Sequence, residues 1–365
     1  MERMKMRRYK IAAVPGDGIG PEVIAAGMDV LHAVAAQDGG FALETESFDW
    51  GSDRYRKTGR MMPPDGVDTL RGFDAIYFGA VGDPDIPDHI TLWELRLAIC
   101  QGLDQYANVR PTKLMPGMEG PLKRDLGEKI DWVIVRENSE GEYAGVGGRV
   151  HTGLPLETGL DVSVFTRDGV SRICRFACEL AMSRPRKRLT VVTKSNAQRH
   201  GMVFWDTVCR EVLADFPDLD VDFKLVDAMA ALMVTKPAAI DTVVATNLHA
   251  DILSDLASAL TGSLGNGATA NINPAGDVPS MFEPIHGSAF DIVGKGIANP
   301  VGAFWTGAMM LEHLGEADAA ARLMAAIGTV TANGPRTPDL GGQAGSADVT
   351  KAVLAALAGK AASLP

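Results

Sequence analysis

The chain has 365 residues, 46% of them hydrophobic and 22% charged, and a formal net charge of −11. That length exceeds what one compact core usually takes, so two domains are expected. The acidic balance argues against nucleic acid or an anionic membrane as a partner but leaves room for a local basic pocket, and no apolar run approaches the roughly 18 residues of a membrane span.

The basic opening stretch MERMKMRRYK is followed by no apolar segment and no small-residue cleavage site, so it reads as a solvated extension. A strand at 10–14 then enters the turn PGDGIGPE, and a helix over 21–36 leaves it. A dinucleotide fingerprint needs G-x-G-x-x-G; here Gly16 and Gly18 are followed at the third position by Pro21, with Gly20 one place early. No acidic residue closes the next strand about 20 residues on. The stretch is therefore a tight strand-to-helix turn with proline in the first helical turn, not a Rossmann site, and a nucleotide would bind elsewhere.

Further strands are expected at 74–81, 131–135, 189–193, 223–226 and 241–246, alternating with amphipathic helices in an α/β pattern with a largely parallel sheet. The helix over 166–182 carries Val170, Ile173, Phe176, Ala177 and Leu180 on one stripe, with Thr166 as its N-cap. Residues 137–165 are glycine-rich and break the rhythm, which suits either an antiparallel arm packing on another subunit or a surface loop. Residues 262–299 read mostly as loop, too apolar for disorder and thus a binding loop. Three helices close the chain: one over 300–314, one ending near Gly334, and one opened by Ser346. Cys100, Cys174, Cys178 and Cys209 show neither C-x-x-C pairing nor zinc spacing, so a reducing cytoplasm is the default.

In open parallel sheets ligands gather beyond the carboxyl ends of strands. Arg136, Lys194, Asp227 and Asn247 each follow a predicted strand, and together they suggest one shared site. Asp251 and Asp255, four apart, share a helix face; two like charges there call for a hard cation, Mg2+ or Mn2+, with Asp227 as a third carboxylate. His249 faces another way and is either structural or a support behind the ligating side chains. Arg96, Arg110 and Arg136 supply enough guanidinium to clamp two carboxylates, Tyr143 offers a phenolic proton, and Lys194 could act as a base.

Taken together, GDGIGPE, YANVRP, VRENSEGEY, TKSN, NLHADILSDL and FEPIHGSAFDIVGKGIANP resemble, in order and over nearly the whole chain, the signatures of the metal-dependent β-decarboxylating dehydrogenases. That family includes isocitrate, isopropylmalate, homoisocitrate and tartrate/D-malate dehydrogenases. The resemblance implies its two-domain, non-Rossmann α/β fold, with a large cofactor-binding domain from 1–111 and 263–365 and a small domain from 112–262 that carries dimerisation and metal/substrate groups. It implies a cytoplasmic homodimer with shared active sites, acting on a small dicarboxylate with NAD and Mg2+ or Mn2+, with no nucleic acid and no membrane.

By the same resemblance Arg110 and Arg136 match substrate-carboxylate ligands, and Tyr143 matches the acid that protonates the enolate. Lys194 matches the base-side lysine and Asp227 a metal ligand, both lent across the dimer; Asp251 and Asp255 match the other two metal ligands. Glu283, His286, Gly287, Ser288, Ala289, Asp291 and Asn299 fall in the cofactor segment, with Asp291 where NAD-dependent relatives carry an acid for the ribose hydroxyls. The chemistry implied is hydride loss from C2, decarboxylation of the β-keto acid, and return of a proton to carbon.

One departure concerns the first arginine, which many relatives carry where this chain has Cys100; Arg96, one turn earlier, shares that helix face. Trp93 is expected to fill the subsite that receives a branched alkyl group or third carboxylate in other branches, leaving room for D-malate or tartrate. 3-Isopropylmalate dehydrogenase is the nearest alternative. A phosphotransacetylase-type acyltransferase and a non-catalytic regulatory subunit are alternatives of other classes, although the latter would be expected to have lost Tyr143, Lys194 or a metal aspartate.

Overall fold

The computed structural model describes residues 6–359. Ten strands form one sheet: β1 (Arg7–Gly16), β2 (Phe41–Ser47), β3 (Ala75–Ala80), β4 (Ala107–Lys113), β5 (Asp131–Glu137), β8 (Arg188–Thr193), β9 (Asp220–Leu225), β10 (Thr242–Ala245), β11 (Ala268–Ile272) and β12 (Ser280–Pro284). The remaining two, β6 (Gly141–Val150) and β7 (Thr158–Val164), form a separate two-stranded ribbon. The strand order is β2-β1-β3-β12-β11-β4-β5-β10-β8-β9. The outer runs are parallel, whereas β11 and β4 pair antiparallel with both of their neighbours at the centre.

Two corrections follow. The segment 262–299, expected to be mostly loop, contains β11 and β12, which sit at the middle of the sheet and are almost wholly buried. They are only five residues each, and the Pro and Gly residues between them mask the pattern. Of the supposed N-terminal extension, residues 7–10 belong to β1 and pair with β2 from Arg7↔Phe41 onward, while residues 1–5 lie outside the described residues. Beyond these, β9 ends at Leu225, and Val226 already begins the helix Val226–Thr235.

Local signals explain the helices. Arg167–Ser183 starts where the Thr166 side chain accepts a hydrogen bond from Gly169 N at 3.0 Å, and it buries Val170, Ile173, Cys174, Ala177 and Cys178. The helix Ala317–Asn333 is followed by Gly334, and Ser346–Leu357 closes the described chain. One apolar cluster draws mainly on both chain ends, joining Val23, Leu31, Phe304 and Val353; two others, around Trp205 and Trp132, come from the middle of the chain. All four cysteines are free and buried. Among the described residues no helix is long and apolar enough to cross a membrane.

The segment 137–165 resolves into the β6–β7 ribbon. Its faces are unusually apolar for exposed residues, with Val146, Val150, Leu154, Leu156, Leu160 and Val162 each about half exposed or more.

Candidate active site

A cleft of about 240 Å³ opens between the end of β3 and the helix Asn247–Leu260. Arg96, Arg110, Arg136, Tyr143, Asp251, Asp255, Glu283, His286 and Gly287 reach it from several elements, with Asp251 and Asp255 on one helix and His286 and Gly287 in the loop after β12. Leu92, Thr269, Pro284, Ile285 and residues 78–81 complete the wall, none of them singled out from sequence. The strand end at 78–81 carried a usable signal, because ligands collect there in α/β sheets; Thr269 was hidden by reading β11 as loop.

Asp251 organises the basic side. It accepts from Arg110 Nη2 at 3.3 Å and pairs closely with Arg136 Nη1. Arg110 is further held by Asn108 Oδ1 at 2.8 Å and Ser254 Oγ at 2.5 Å, and Arg136 by Asn247 Oδ1 at 2.5 Å. Burial and the neighbouring Arg136 push the Arg110 guanidinium down to about 10. Burial works to raise the Asp251 carboxyl, but Arg136, Arg110 and Arg96 hold it below the ordinary range. Asp255, one turn on, is held above that range by partial burial and by the charge of Asp251.

Two carboxylates a turn apart, with oxygen donors only, fit a hard divalent cation, and the strain on Asp255 is what such a cation would relieve. Within one chain the set stops at two. Asp227 lies outside the cleft, 3.0 Å from Lys194 Nζ, and among the described residues no three His, Cys, Asp or Glu side chains gather as a metal cage. The four strand-end residues therefore form two neighbour pairs rather than one cluster: Arg136 with Asn247 across β5 and β10, and Lys194 with Asp227 across β8 and β9. Only Arg136 of the four lines the cleft.

Tyr143 is half-buried on β6, with the Arg136 guanidinium 5.2 Å from its ring centroid. Burial and Asp251 raise its phenol above the ordinary value, so it stays protonated at neutral pH. Arg96 is buried in a π-helical turn, Leu92–Leu97, within the helix over residues 88–102. Its guanidinium forks onto Glu283 and also reaches Asn271 Oδ1 at 3.4 Å. Glu283, expected to touch cofactor, thus serves first as the counter-ion of Arg96. Trp93, expected to fill the substrate subsite, is absent from the lining of the cleft; Leu92 is there instead, and the indole lies against Gly145 of β6.

Along the expected cofactor segment, His286 is buried with Nδ1 at 3.0 Å from Gly287 O, and its Nε2 has no partner. Burial lowers its pKa. A buried, neutral imidazole nitrogen without a partner fits a ligand supplying a polar atom there. Ser288 O accepts from Ile19 N at 2.9 Å, which ties this segment to the opening glycine turn. Gly287 and Asp291 are exposed, and Ala289 adopts a left-handed φ of 43°. Asn299 is buried, donating to Asn266 Oδ1 and Asp339 Oδ2, both at 2.9 Å. It lines a second cavity of about 170 Å³ with Arg336, Thr337 and Asp339, residues not anticipated from sequence. His249 is buried, away from the cleft lining.

The isocitrate/isopropylmalate dehydrogenase family matches residues 10–353. A probable tartrate dehydrogenase/decarboxylase of Agrobacterium vitis is 66% identical over 354 residues, covering 97% of this chain and 99% of the relative. The decarboxylating D-malate dehydrogenase of Escherichia coli K12 is 49% identical, covering 95% of this chain and 98% of its own. The crystal structure of isocitrate dehydrogenase from Methylococcus capsulatus superposes with a TM-score of 0.86 at 35% identity, over 96% of this chain and 99% of that one. The chain belongs to the isocitrate/isopropylmalate dehydrogenase family, in its tartrate/D-malate branch.

Proposed function

We propose that the protein is an NAD- and divalent-metal-dependent dehydrogenase that oxidatively decarboxylates a small 2-hydroxy dicarboxylate, D-malate foremost, with tartrate as a co-substrate. The observation that carries this reading is the convergence of Arg110, Arg136, Asp251, Asp255 and Tyr143 on one cleft. Family membership and the names of the relatives support the reaction class and the substrate.

Arg110 and Arg136 bind and orient the substrate carboxylates, and Asp251 offsets the repulsion between the two cations. Arg96, fixed by Glu283, adds positive potential rather than a free fork. The Tyr143 hydroxyl donates a proton to C3 of the enolate. Asp251 and Asp255 would hold the divalent cation, which would supply polarisation of the C2 oxygen and counter-charge for the enolate. His286 and Asn299, with the exposed Asp291 in the same segment, would hold the adenosine half of NAD, which would supply the hydride acceptor for C2.

The working unit is a homodimer in which Lys194 and Asp227 of one subunit complete the site of the other. Support comes from the separation of the Lys194–Asp227 pair from its own cleft and from the exposed apolar faces of the β6–β7 ribbon. We likewise propose domains over 1–111 with 263–365, and over 112–262.

The test is NADH formation and pyruvate release by the purified protein with NAD and Mn2+, comparing kcat/KM for D-malate, tartrate and 3-isopropylmalate. D-malate is expected to be preferred. 3-Isopropylmalate as the best substrate would replace the reading with the leucine-pathway one, and no turnover of any 2-hydroxy dicarboxylate would favour the regulatory or acyltransferase classes.

A further inference from the structure

Tyr143 has little to hold it. It lies on β6 between two register pairs, Gly141↔Val164 and Val146↔Val162, in a stretch where the ladder slips and Glu142 through Gly145 have no opposite number on β7. Such bulges beside active sites re-aim a side chain, at the cost of local backbone support. Among the described residues the Tyr143 hydroxyl has no hydrogen-bond partner, and Arg136 touches only the face of the ring. On the N-terminal side Glu142 anchors the strand, accepting from Thr246 Oγ1 at 3.0 Å and Leu248 N at 3.2 Å. On the C-terminal side the only neighbour that a Cβ at Gly145 would meet within 4 Å, among the described residues, is the indole of Trp93.

Gly145 has a φ of +70°, and a methyl built on it would stand 2.8 Å from Trp93 Cη2 and 2.9 Å from Cζ3. The absence of a Cβ therefore lets the indole edge close on the backbone two residues beyond Tyr143. Trp93 is half-buried and belongs to none of the apolar clusters of the described residues, so it is not simply core. It also sits in the π-helical turn that carries Arg96, so one turn of helix contributes an arginine to the cleft and an indole to the strand bearing the acid.

We infer that Trp93 is a positioning residue for Tyr143: its indole buttresses β6 at Gly145 and so sets the placement of the phenol for carbon protonation. The inference rests on the proposed function for Tyr143. In the step concerned, the C3–H bond forms as the Tyr143 O–H bond breaks, the enolate electron pair takes the proton, and solvent restores the phenol. A displaced phenol slows that step while leaving substrate binding by Arg110 and Arg136 in place.

The experiment pairs an activity readout with one that needs no activity. Trp93→Leu is expected to lower kcat for D-malate by about 10–100-fold with KM nearly unchanged, the scale of a misplaced catalytic group. The solvent isotope effect on kcat should grow and the effect of deuterium at C2 should shrink, and Trp93→Phe should recover most of the loss. In parallel, protein labelled with 3-fluorotyrosine gives a 19F signal for Tyr143, assigned by Tyr143→Phe; Trp93→Leu should shift and broaden that signal and leave the other tyrosines unmoved. An unchanged Tyr143 signal, or kcat and KM altered without any change in the balance of isotope effects, would overturn the inference. If the native protein oxidises none of the hydroxy acids, the functional reading fails while the 19F result still decides the buttress. Should Trp93→Leu not fold, Gly145→Ala carries both readouts, because its methyl would drive the indole off the strand.

Discussion

Arg96 and Glu283, 187 positions apart in the chain, meet in a buried fork in which Nε lies 2.8 Å and 3.0 Å from the two carboxylate oxygens and Nη2 lies 2.5 Å from Oε1. Asn271 Nδ2 donates to the same carboxylate at 2.8 Å. Burial disfavours both charges, yet Glu283 holds the arginine above its ordinary value and the arginine holds Glu283 below. The pair joins the helix over 88–102 to the strand that leads into the expected cofactor segment, so a change at either residue reaches both halves of the cleft.

Removing one member should be much worse than removing both. Glu283→Ala leaves a buried guanidinium unpaired, and a loss of about 3–5 kcal/mol is expected in urea unfolding. The double variant Arg96→Met/Glu283→Leu should recover much of that stability but not the activity. Equal losses in the single and double variants would show that the two residues are not coupled.

The metal site is tested by Asp255→Asn. Asp255 makes no ion pair with the arginines, so the fold and KM for D-malate should hold, while the Mn2+ concentration for half-maximal rate should rise more than about tenfold. Asp251→Asn should raise the metal requirement and also raise KM, because Arg110 and Arg136 lose the carboxylate that holds the two like charges side by side. Full activity of either variant at unchanged Mn2+ would remove the assignment.

Gly18 has a φ of +59°, and a methyl on it would lie 1.9 Å from Ser288 O. Gly18→Ala must therefore push the cofactor segment away from the glycine turn. KM for NAD should rise several-fold more than KM for D-malate, with a lowered melting temperature. A rise confined to D-malate would mean that the contact does not serve the cofactor.

Asp291 is exposed in the segment proposed to hold the cofactor, and a carboxylate beside the adenosine ribose would repel a 2′-phosphate. The native protein should prefer NAD over NADP, and Asp291→Lys should erode that preference. The comparison is kcat/KM for each cofactor, and a native preference for NADP would refute it.

His286 is buried, with Nδ1 3.0 Å from Gly287 O, and burial lowers its pKa from 6.5. In the unfolded chain the imidazole takes a proton as pH falls through about 6.5, whereas the folded one resists until its own lower pKa. Its contribution is thus fully present above the unfolded pKa and is lost as pH falls toward the folded one. Stability should decline on acidification below about pH 6.5, and His286→Phe should flatten the slope, as read from unfolding free energies at several pH values.

What the sequence determined by itself was local. The 3.6-residue stripe and Thr166 specify the helix Arg167–Ser183, and the i, i+4 spacing alone puts Asp251 and Asp255 on one helix face, because both follow from bond geometry within a few residues. Strand ends carrying Arg136, Lys194 and Asp227 were legible for the same reason, and the signature motifs identified the family. Tertiary structure decided which of these groups meet. Strand order places β8 beside β9, so Lys194 pairs with Asp227 instead of joining Arg136, and no local pattern encodes that adjacency. β11 and β12 are short and rely on pairing with β4 and β3, partners more than 150 positions away, so their strand character exists only once the sheet has formed. Arg96 finding Glu283, and the Trp93 indole turning away from the cleft to Gly145, likewise depend on packing between distant elements, where side-chain direction is set by available space rather than by residue type.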